Sequence, residues 1–499
     1  MIQNRFAGYA FLVNKFHLNV IPNWHISSVS RYGGAKSSVI EEGKTETTYP
    51  SSYWPGESTG DHLEFALKYD GINLAILAEL FNSIREEEIT SWIASKPTGK
   101  YARKIWFLYE YLTGDMLPLP DLAQGNYIEL LDKERYYTIN PGRRVLRQRM
   151  VDNLPGNAAF CPVIRRTEKL AQMERIDIRQ RCENLVRQYP PELMRRALSY
   201  LYTKETKSSF EIEHIHPATS RAEKFIALLT RAEQQDYCEK SSLIEVQNSV
   251  VEPRFRDADY RKSQNYISET LSYQHQKVHY VCPKPENIAS LMEGLIYTHK
   301  KLGENGVPAI IHAAVIAYGF VFMHPFEDGN GRIHRFLIHN ILSKRGTVPD
   351  GLMFPVSASM LKNPKLYAES LESYSIPLLR LIDYDLDDNG IMTVSGETGN
   401  LYSYIDMTAQ AEALYDFVIN TVEEELKEEL DFLVSYDRIK KAIQEIVDMP
   451  DRHINLFIRF CLQNNGRLSK NKRESLFMFL SEDEVKRLEE AVRQGHNNP

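Results

Sequence analysis

One apolar stretch, residues 307–323, constrains the fold more than any other part of the chain. It reads VPAIIHAAVIAYGFVFM, so a helix built from it is apolar on nearly every face. Such a helix is buried, either inside a globular protein or in a membrane. The whole chain has 25% charged and 43% hydrophobic residues, as globular proteins do. No run reaches the ~18 uninterrupted apolar residues of a membrane span. The stretch therefore predicts the central helix of a helical bundle.

The twelve residues that follow this helix, 324–335, carry a high density of reactive side chains. They read HPFEDGNGRIHR. Pro325 opposes continuation of the first helix, and Gly329 and Gly331 permit backbone angles that point successive N–H groups into one concavity. A second helix is expected to begin near Gly331, with its positive amino end facing the same concavity. The sequence predicts that this loop binds an anion such as a phosphate.

The side chains of the loop suit nucleotide chemistry. Arg332 and Arg335 are three residues apart, so one helix face presents both guanidinium groups to the phosphates of a nucleotide tail. Asp328 is a hard oxygen ligand suited to a magnesium ion that also bridges phosphate oxygens. His324 titrates near neutrality and can take a proton from an incoming hydroxyl, and Asn330 can donate to the developing phosphate charge.

HPFEDGNGRIHR resembles the signature of the Fic (Fic/Doc) family, His-x-Phe-x-Asp/Glu-Gly-Asn-Gly-Arg-x-x-Arg, at every fixed position. The resemblance implies a mainly α fold, with a Fic-type helical bundle core and a short β-hairpin flap. It also implies a protein adenylyltransferase that transfers AMP from ATP to a hydroxyl side chain of a target protein, with Mg²⁺. His324, as general base, Asn330 and Arg332 would be catalytic, and Asp328 would hold the metal. The cofactor-binding residues would be Phe326, Gly329, Asn330, Gly331, Arg332, Arg335 and Tyr367.

A second motif upstream of the signature also resembles the family. Many Fic proteins carry Ser/Thr-x-x-x-Glu-Gly/Asn, whose glutamate takes the place of the ATP γ-phosphate, and Ser209 and Glu213 fit it here. The four-residue spacing predicts that both lie on one helix face. His214 stands where Gly or Asn is usual, which bears on how the helix ends. The resemblance implies that Glu213 pairs with Arg335 and inhibits the enzyme; the alternative is an ordinary exposed Ser and Glu.

The stretch between Phe255 and Cys282 matches the position of the family's flap, an edge hairpin that aligns an extended target segment. The alternative is a plain loop. Its polar and aromatic residues include Tyr266, Tyr273, Gln274, His275 and Tyr280. Further along the chain, Tyr367 either lines an adenine pocket or belongs to the core, since an aromatic ring suits both places.

A length of 499 residues predicts two or three domains. We expect a helical N-terminal domain over 1–194, with a flexible polar loop at 31–60. A Fic core that includes the inhibitory helix is expected over 195–395. Helical periodicity over 396–499 predicts a C-terminal module resembling a winged helix or a helix-turn-helix, or else a helical docking or dimer module.

Charge and cysteine content limit the partners and the compartment. The formal net charge of −7 argues against affinity of the whole protein for nucleic acid. The apolar stretch near the N-terminus is too short for a signal peptide, so a cytoplasmic protein without membrane attachment is expected. The five cysteines form no close C-x-x-C pair, which predicts free thiols and no zinc site.

The expected partner is a target protein with an exposed Tyr, Ser or Thr hydroxyl. The protein itself is a further expected substrate, and a homodimer is expected by analogy. Two alternatives stay open. One is a deAMPylating phosphodiesterase that uses the same site. The other is a nucleotide-sensing DNA-binding regulator, for which the basic segment 467–473 is the support.

Overall fold

A computed structural model describes residues 4–41, 43–272, 275–350 and 352–497 of the chain. The chain divides into two compact units, and each is built from separate segments. The first unit comprises Met1–Ile176, Pro217–Arg345 and Asn363–Asp416. The second unit comprises Asp177–His216, Gly346–Lys362 and Phe417–Pro499. The domain boundaries expected at 194/195 and 395/396 stay predictions.

Helices dominate both units. In chain order they begin with α1 (Tyr9–Phe16), α2 (Thr59–Phe65), α3 (Leu74–Ser83), α4 (Glu86–Ser95), α5 (Lys100–Thr113), α6 (Glu168–Met173), α7 (Ile178–Val186), α8 (Pro191–Glu211), α9 (Thr219–Thr230), α10 (Lys240–Val250) and α11 (Pro285–Glu304). They continue with α12 (Ala309–Met323), α13 (Asn330–Lys344), α14 (Val356–Lys362), α15 (Pro364–Leu379), α16 (Gly399–Ser403), α17 (Thr408–Asn420), α18 (Leu426–Ile446), α19 (Asp451–Leu462), α20 (Lys470–Leu476) and α21 (Glu482–Asn497). Among the described residues, none of these helices is both long and apolar enough to cross a membrane.

The strands form small sheets. They are β1 (Arg5–Ala7), β2 (His25–Val29), β3 (Ser37–Glu41), β4 (Lys44–Tyr49), β5 (Ile128–Glu129), β6 (Arg143–Val145), β7 (Met150–Asp152), β8 (Tyr266–Ser272), β9 (His275–Val281), β10 (Tyr384–Leu386) and β11 (Met392–Val394). The first four make a sheet of order β1-β2-β4-β3, and β5, β7 and β6 make another. β8 with β9 and β10 with β11 form antiparallel pairs. The expectation of a mainly α fold with a short hairpin is confirmed.

The prediction of a flexible polar loop over 31–60 is wrong for much of this range. β3 and β4 lie within it, and β4 pairs in parallel with β2 while β3 pairs antiparallel with β4. The threonines that suggested a loop are β-branched and favour a strand once a partner strand is available. Thr47 and Tyr49 alternate along β4 with their side chains buried, each only 3% exposed.

The central helix predicted at 307–323 is confirmed as α12, which packs against α11 and α13. Every residue of α12 from Ile310 to Met323 is buried. A helix surrounded in this way needs apolar side chains on all faces, which explains the absence of a polar stripe. α12 therefore ends in the interior of the first unit, and this fixes the position at which the following loop begins.

In the described part of 417–497, the second unit consists of helices joined by short loops. Its α8 packs against α14 and α18, and α18 packs against α19 and α21. The basic segment of this unit is partly paired with nearby carboxylates: Lys470 Nζ lies 3.9 Å from Glu474 Oε1, and Arg473 Nη1 lies 3.6 Å from Glu482 Oε1. DNA contact and dimer formation by this segment stay predictions.

Candidate functional site

The loop between α12 and α13 begins with a histidine in an unusual backbone conformation. His324 ends α12 with φ +49° and ψ +56°, and its N–H donates to the carbonyl of Phe320 at 3.0 Å. For a residue other than glycine, the left-handed region costs about 1–2 kcal/mol. Such strain persists where the surrounding structure enforces it and is common in active sites. The half-buried imidazole is thus held in place by its own backbone.

The imidazole of His324 has a defined tautomer. Its Nδ1 lies 3.1 Å from the carbonyl oxygen of Val321. A carbonyl only accepts hydrogen bonds, so Nδ1 carries the proton of the neutral ring. Nε2 is then the basic nitrogen. This is the arrangement that a general base requires, because the second nitrogen fixes the ring while the first accepts a proton.

Asn330 and Phe326 close the loop on itself. Asn330 Oδ1 accepts the N–H of Phe326 at 3.1 Å, and Asn330 Nδ2 donates to the Phe326 carbonyl at 2.8 Å. The Phe326 ring is fully buried and packs near Tyr260 and Phe320. Phe326 therefore anchors the loop from inside the core, and its place among the cofactor-binding residues stays a prediction.

Two glycines stand at the amino end of α13. Gly329 precedes the helix with φ +91°, and a Cβ there would lie 2.9 Å from Cγ1 of Val251. Only glycine tolerates both the backbone angle and the close approach. The helix begins at Asn330, one residue before the predicted start at Gly331. The first N–H groups of a helix have no acceptor within it, so the amino end of α13 is the part of the loop region suited to an anion.

The two arginines of the motif are buried. Arg332 is fully buried and Arg335 is 2% exposed. Arg332 Nη2 lies 2.6 Å from Asp328 Oδ1, and Nη1 donates to the carbonyl of Val250 at 2.7 Å. Arg335 Nη1 lies 3.5 Å from the hydroxyl of Tyr367. The structure thus brings Asp328 to Arg332 and Tyr367 to Arg335, and places two positive charges at the amino end of α13.

Asp328 fits the metal role that the sequence analysis gave it. Its side chain is 46% exposed, and Oδ1 accepts from the N–H of Gly329 at 2.5 Å as well as from Arg332. The described residues contain no group of three His, Cys, Asp or Glu side chains placed to hold a metal. Mg²⁺ usually takes one or two carboxylates, with substrate phosphates and water as its other ligands. The accessible carboxylate of Asp328 is compatible with that pattern, and its metal role stays a prediction.

The predicted inhibitory residues belong to the second unit. Ser209 lies in α8 and is fully buried, while Glu213 lies two residues beyond the helix end. His214 has φ +56°, and its N–H donates to the carbonyl of Glu211 at 2.8 Å. Glycine or asparagine usually adopts this conformation after a helix. A histidine does so here, so the departure from the family motif preserves a left-handed helix end.

Sequence reasoning missed two buried polar residues that hold the loop. Gln247 in α10 is fully buried, and its Nε2 donates to the loop carbonyl of Asp328 at 3.4 Å and to Oδ2 of Asp257 at 3.0 Å. Arg261 is 4% exposed, and its Nε donates to the carbonyl of His324 at 2.8 Å. The loop residues that they contact, Asp328 and His324, lie 81 and 63 positions away in the chain, so these contacts have no local signal. The available hint was that Gln247 falls in the same helical stripe as the apolar residues Leu243, Val246 and Val250.

His334, inside α13, makes stability depend on pH. Its ring is fully buried, 4.7 Å from the Tyr318 ring, and burial lowers the pKa of His334 from about 6.5 to about 3. The unfolded chain therefore binds more protons than the folded protein between these values, and stability falls as pH drops through this window. We expect a loss on the order of 4 kcal/mol from this residue. Urea denaturation at several pH values measures the free energy of unfolding as a function of pH. If this pH dependence is the same in His334→Phe as in the wild type, the assignment to His334 is wrong.

Comparison with known proteins gives matches in the region of this loop. Residues 237–342 match the family model described as Fic/DOC family. A protein described as protein adenylyltransferase Fic from Drosophila mojavensis is 27% identical over 119 residues, or 23% of this chain and 22% of its own length. One of the same description from Drosophila grimshawi is 30% identical over 91 residues, or 18% of this chain and 17% of its own length. The chain thus spans about a fifth of the length of the curated relatives it matches.

Among solved structures, a Fic family protein from Desulfovibrio desulfuricans G20 is similar to this chain at 16% sequence identity. The similarity has a TM-score of 0.37 and covers 56% of this chain and 80% of that chain. A Fic domain containing signaling protein from Bacteroides thetaiotaomicron is similar at 16% identity and a TM-score of 0.36, over 52% of this chain and 97% of that chain.

Proposed function

We propose that this chain, whose residues 237–342 match the Fic/DOC family model, is a protein adenylyltransferase. The observation that carries the proposal is the neutral tautomer of His324, whose basic Nε2 stands at a loop that leads into the amino end of α13 and its two buried arginines. A base, an anion site and fixed positive charge are what a nucleotidyl transfer requires. This chemistry depends mainly on positioning and on charge stabilisation.

In the proposed reaction, the hydroxyl oxygen of a Tyr, Ser or Thr side chain of the target attacks the α-phosphorus of ATP. The bond between that phosphorus and the oxygen bridging to the β-phosphate breaks, and pyrophosphate leaves. The hydroxyl proton passes to Nε2 of His324. The N–H groups at the start of α13 hold the transferred phosphate, and Arg335 and Arg332 bind the remaining phosphates or maintain the site.

Asp328 is the residue that would hold Mg²⁺, which supplies positive charge to the phosphates when bound. Arg332 keeps the Asp328 carboxylate in place through the contact at 2.6 Å. Asn330 keeps the loop closed through Phe326, so its main contribution here is the shape of the phosphate site. Tyr367, beside Arg335, stands where an adenine or ribose contact is proposed.

Labelled nucleotides test the proposal directly. The protein, with Mg²⁺, is incubated with ATP that carries the label on the α-phosphate or on the γ-phosphate. We expect label on the protein or on an added target from the α-position alone, since pyrophosphate leaves. Label from the γ-position would show phosphoryl transfer and would overturn the proposal, and parallel incubations with GTP, CTP and UTP test the choice of base.

We also propose that Glu213 restrains the enzyme, on the strength of its motif and of the helix end that His214 completes. A charged hydrogen bond contributes about 1.5–3 kcal/mol, so Glu213→Gln is expected to raise self-modification about tenfold or more. Intact mass after incubation with ATP and Mg²⁺ measures the added AMP. Glu211→Gln, two residues earlier and exposed, is the matched control and is expected to behave as the wild type. Equal activity of all three proteins would refute the restraint.

A further inference from the structure

Arg261 is a buried arginine whose guanidinium binds three backbone carbonyls. Its Nε donates to His324 at 2.8 Å, Nη1 to Ser263 at 2.6 Å and Nη2 to Pro283 at 2.6 Å. Its own N–H donates to the carbonyl of Pro325 at 2.8 Å. The side chain is 4% exposed, and burial lowers the pKa of Arg261. Burying a guanidinium is costly unless its N–H donors are hydrogen-bonded, and the three carbonyls meet this requirement.

The partners of Arg261 lie at both ends of the β8–β9 hairpin. Ser263 lies shortly before β8, and Pro283 lies shortly after β9. Next to them, the N–H of Cys282 donates to the carbonyl of Asn265 at 3.1 Å, and Gln264 Nε2 donates to the carbonyl of Cys282 at 2.8 Å. The hairpin therefore starts and ends in one small hydrogen-bonded cluster, residues 263–265 and 282–283. Arg261 links this cluster to the backbone of His324.

We propose that Arg261 is a positioning residue that fixes the β8–β9 hairpin relative to His324. The catalytic consequence rests on the proposed function and on the expectation, from the family resemblance, that this hairpin aligns the target segment. Its position then decides whether the target hydroxyl reaches Nε2 of His324 within hydrogen-bond distance. Arg261 itself contacts neither ATP nor the target; its contacts are with backbone carbonyls.

An arginine is needed because three carbonyls are bound in different directions. The planar guanidinium presents five N–H donors in a rigid fork, whereas a lysine presents one compact ammonium group at the end of a flexible stem. Lysine at position 261 keeps the charge but cannot reach the carbonyls of His324, Ser263 and Pro283 together. Arg261→Lys therefore removes the link without removing the charge.

The chain offers a matched control for the loss of a buried arginine. Arg103 is 5% exposed, and it also binds three carbonyls: Nε donates to Gln148 at 2.7 Å, and Nη2 donates to Asn126 at 2.9 Å and to Arg149. None of these belongs to the hairpin or to the 324–335 loop. Arg103→Lys thus reports the general effect of weakening a three-carbonyl contact.

The experiment compares full-length wild type, Arg261→Lys and Arg103→Lys by two readouts. Amide hydrogen exchange of β8 and β9 reports the hairpin, and self-modification at saturating ATP, with ATP affinity measured by titration, reports the reaction. For Arg261→Lys we expect faster exchange in both strands and about ten- to a hundredfold slower transfer at unchanged ATP affinity. For Arg103→Lys we expect wild-type exchange in the hairpin and wild-type transfer.

The outcomes separate this proposal from the proposed function. Unchanged hairpin exchange in Arg261→Lys, or an equal loss of transfer in Arg103→Lys, would overturn the positioning role. If the wild type transfers no nucleotide to itself or to any added protein, the proposed function fails. Hydrogen exchange then still decides whether Arg261 fixes the hairpin, because that readout needs no reaction.

Discussion

Replacing His324 by asparagine is expected to lower nucleotide transfer by about 10²- to 10⁴-fold while the protein stays folded. General-base catalysis by a positioned side chain contributes a factor of that size. Asparagine tolerates the left-handed conformation that His324 adopts at φ +49°, so the backbone of the loop is preserved. Its side-chain amide has no basic nitrogen at neutral pH. The rate of AMP incorporation from α-labelled ATP measures the effect.

A second variant at the same position separates the base from the backbone. In His324→Gly the left-handed conformation carries no strain, so we expect the thermal midpoint of unfolding to stay at or above the wild-type value. Transfer is expected to fall as far as in His324→Asn, and ATP affinity is expected to stay near the wild-type value in both. Substantial transfer by either variant would show that His324 is not the base.

Replacing Phe326 by alanine is expected to destabilise the first unit by about 3–5 kcal/mol. Phe326 is fully buried beside Tyr260 and Phe320, and its backbone is held by Asn330, so little can collapse into the space left by the ring. The loop loses its internal anchor, and transfer should decrease together with stability. Urea denaturation, at a slope unchanged from the wild type, gives the change in the free energy of unfolding.

Two controls accompany that measurement. Phe326→Leu retains most of the apolar volume and should cost clearly less than the alanine variant. Phe6→Ala removes a phenylalanine that is 50% exposed in the same unit, and it is expected to change stability by less than about 1 kcal/mol. A loss of the same size in Phe6→Ala and Phe326→Ala would show that burial of the Phe326 ring does not explain its effect.

Local signals in the sequence predicted the elements that carry the loop. The all-apolar run gave α12, the glycines and the proline gave the loop, and α13 begins one residue from the expected start. Residues 237–342 match the family model that the motif predicted, and the mainly helical fold is confirmed. The hairpin forms over the predicted stretch, although Tyr273 and Gln274 of that stretch lie outside the described residues. All five cysteines are free, as expected, and the structure buries them.

Features that depend on distant partners were not predictable in this way. β3 and β4 become strands only because β2 is available for pairing, and a polar composition rich in threonine does not reveal that partner. Arg261 and Gln247 bind residues tens of positions away in the chain, and their own neighbours show no pattern. The roles of the individual loop residues remain predictions, since they depend on ligands and not on packing.

The division of the second unit among three chain segments determines what fragments of this protein retain. The apolar side of α8 packs against α18, a helix more than two hundred residues later in the chain. The contacting residues are Leu193, Ala197, Leu430 and Leu433. A polypeptide that has been synthesised only to residue 420 already carries the complete 324–335 loop, but α8, with the start of the proposed restraining motif, still lacks this packing partner. A fragment that ends before α18 therefore retains the sequence of the loop but leaves the apolar side of α8 without the residues that cover it in the full chain.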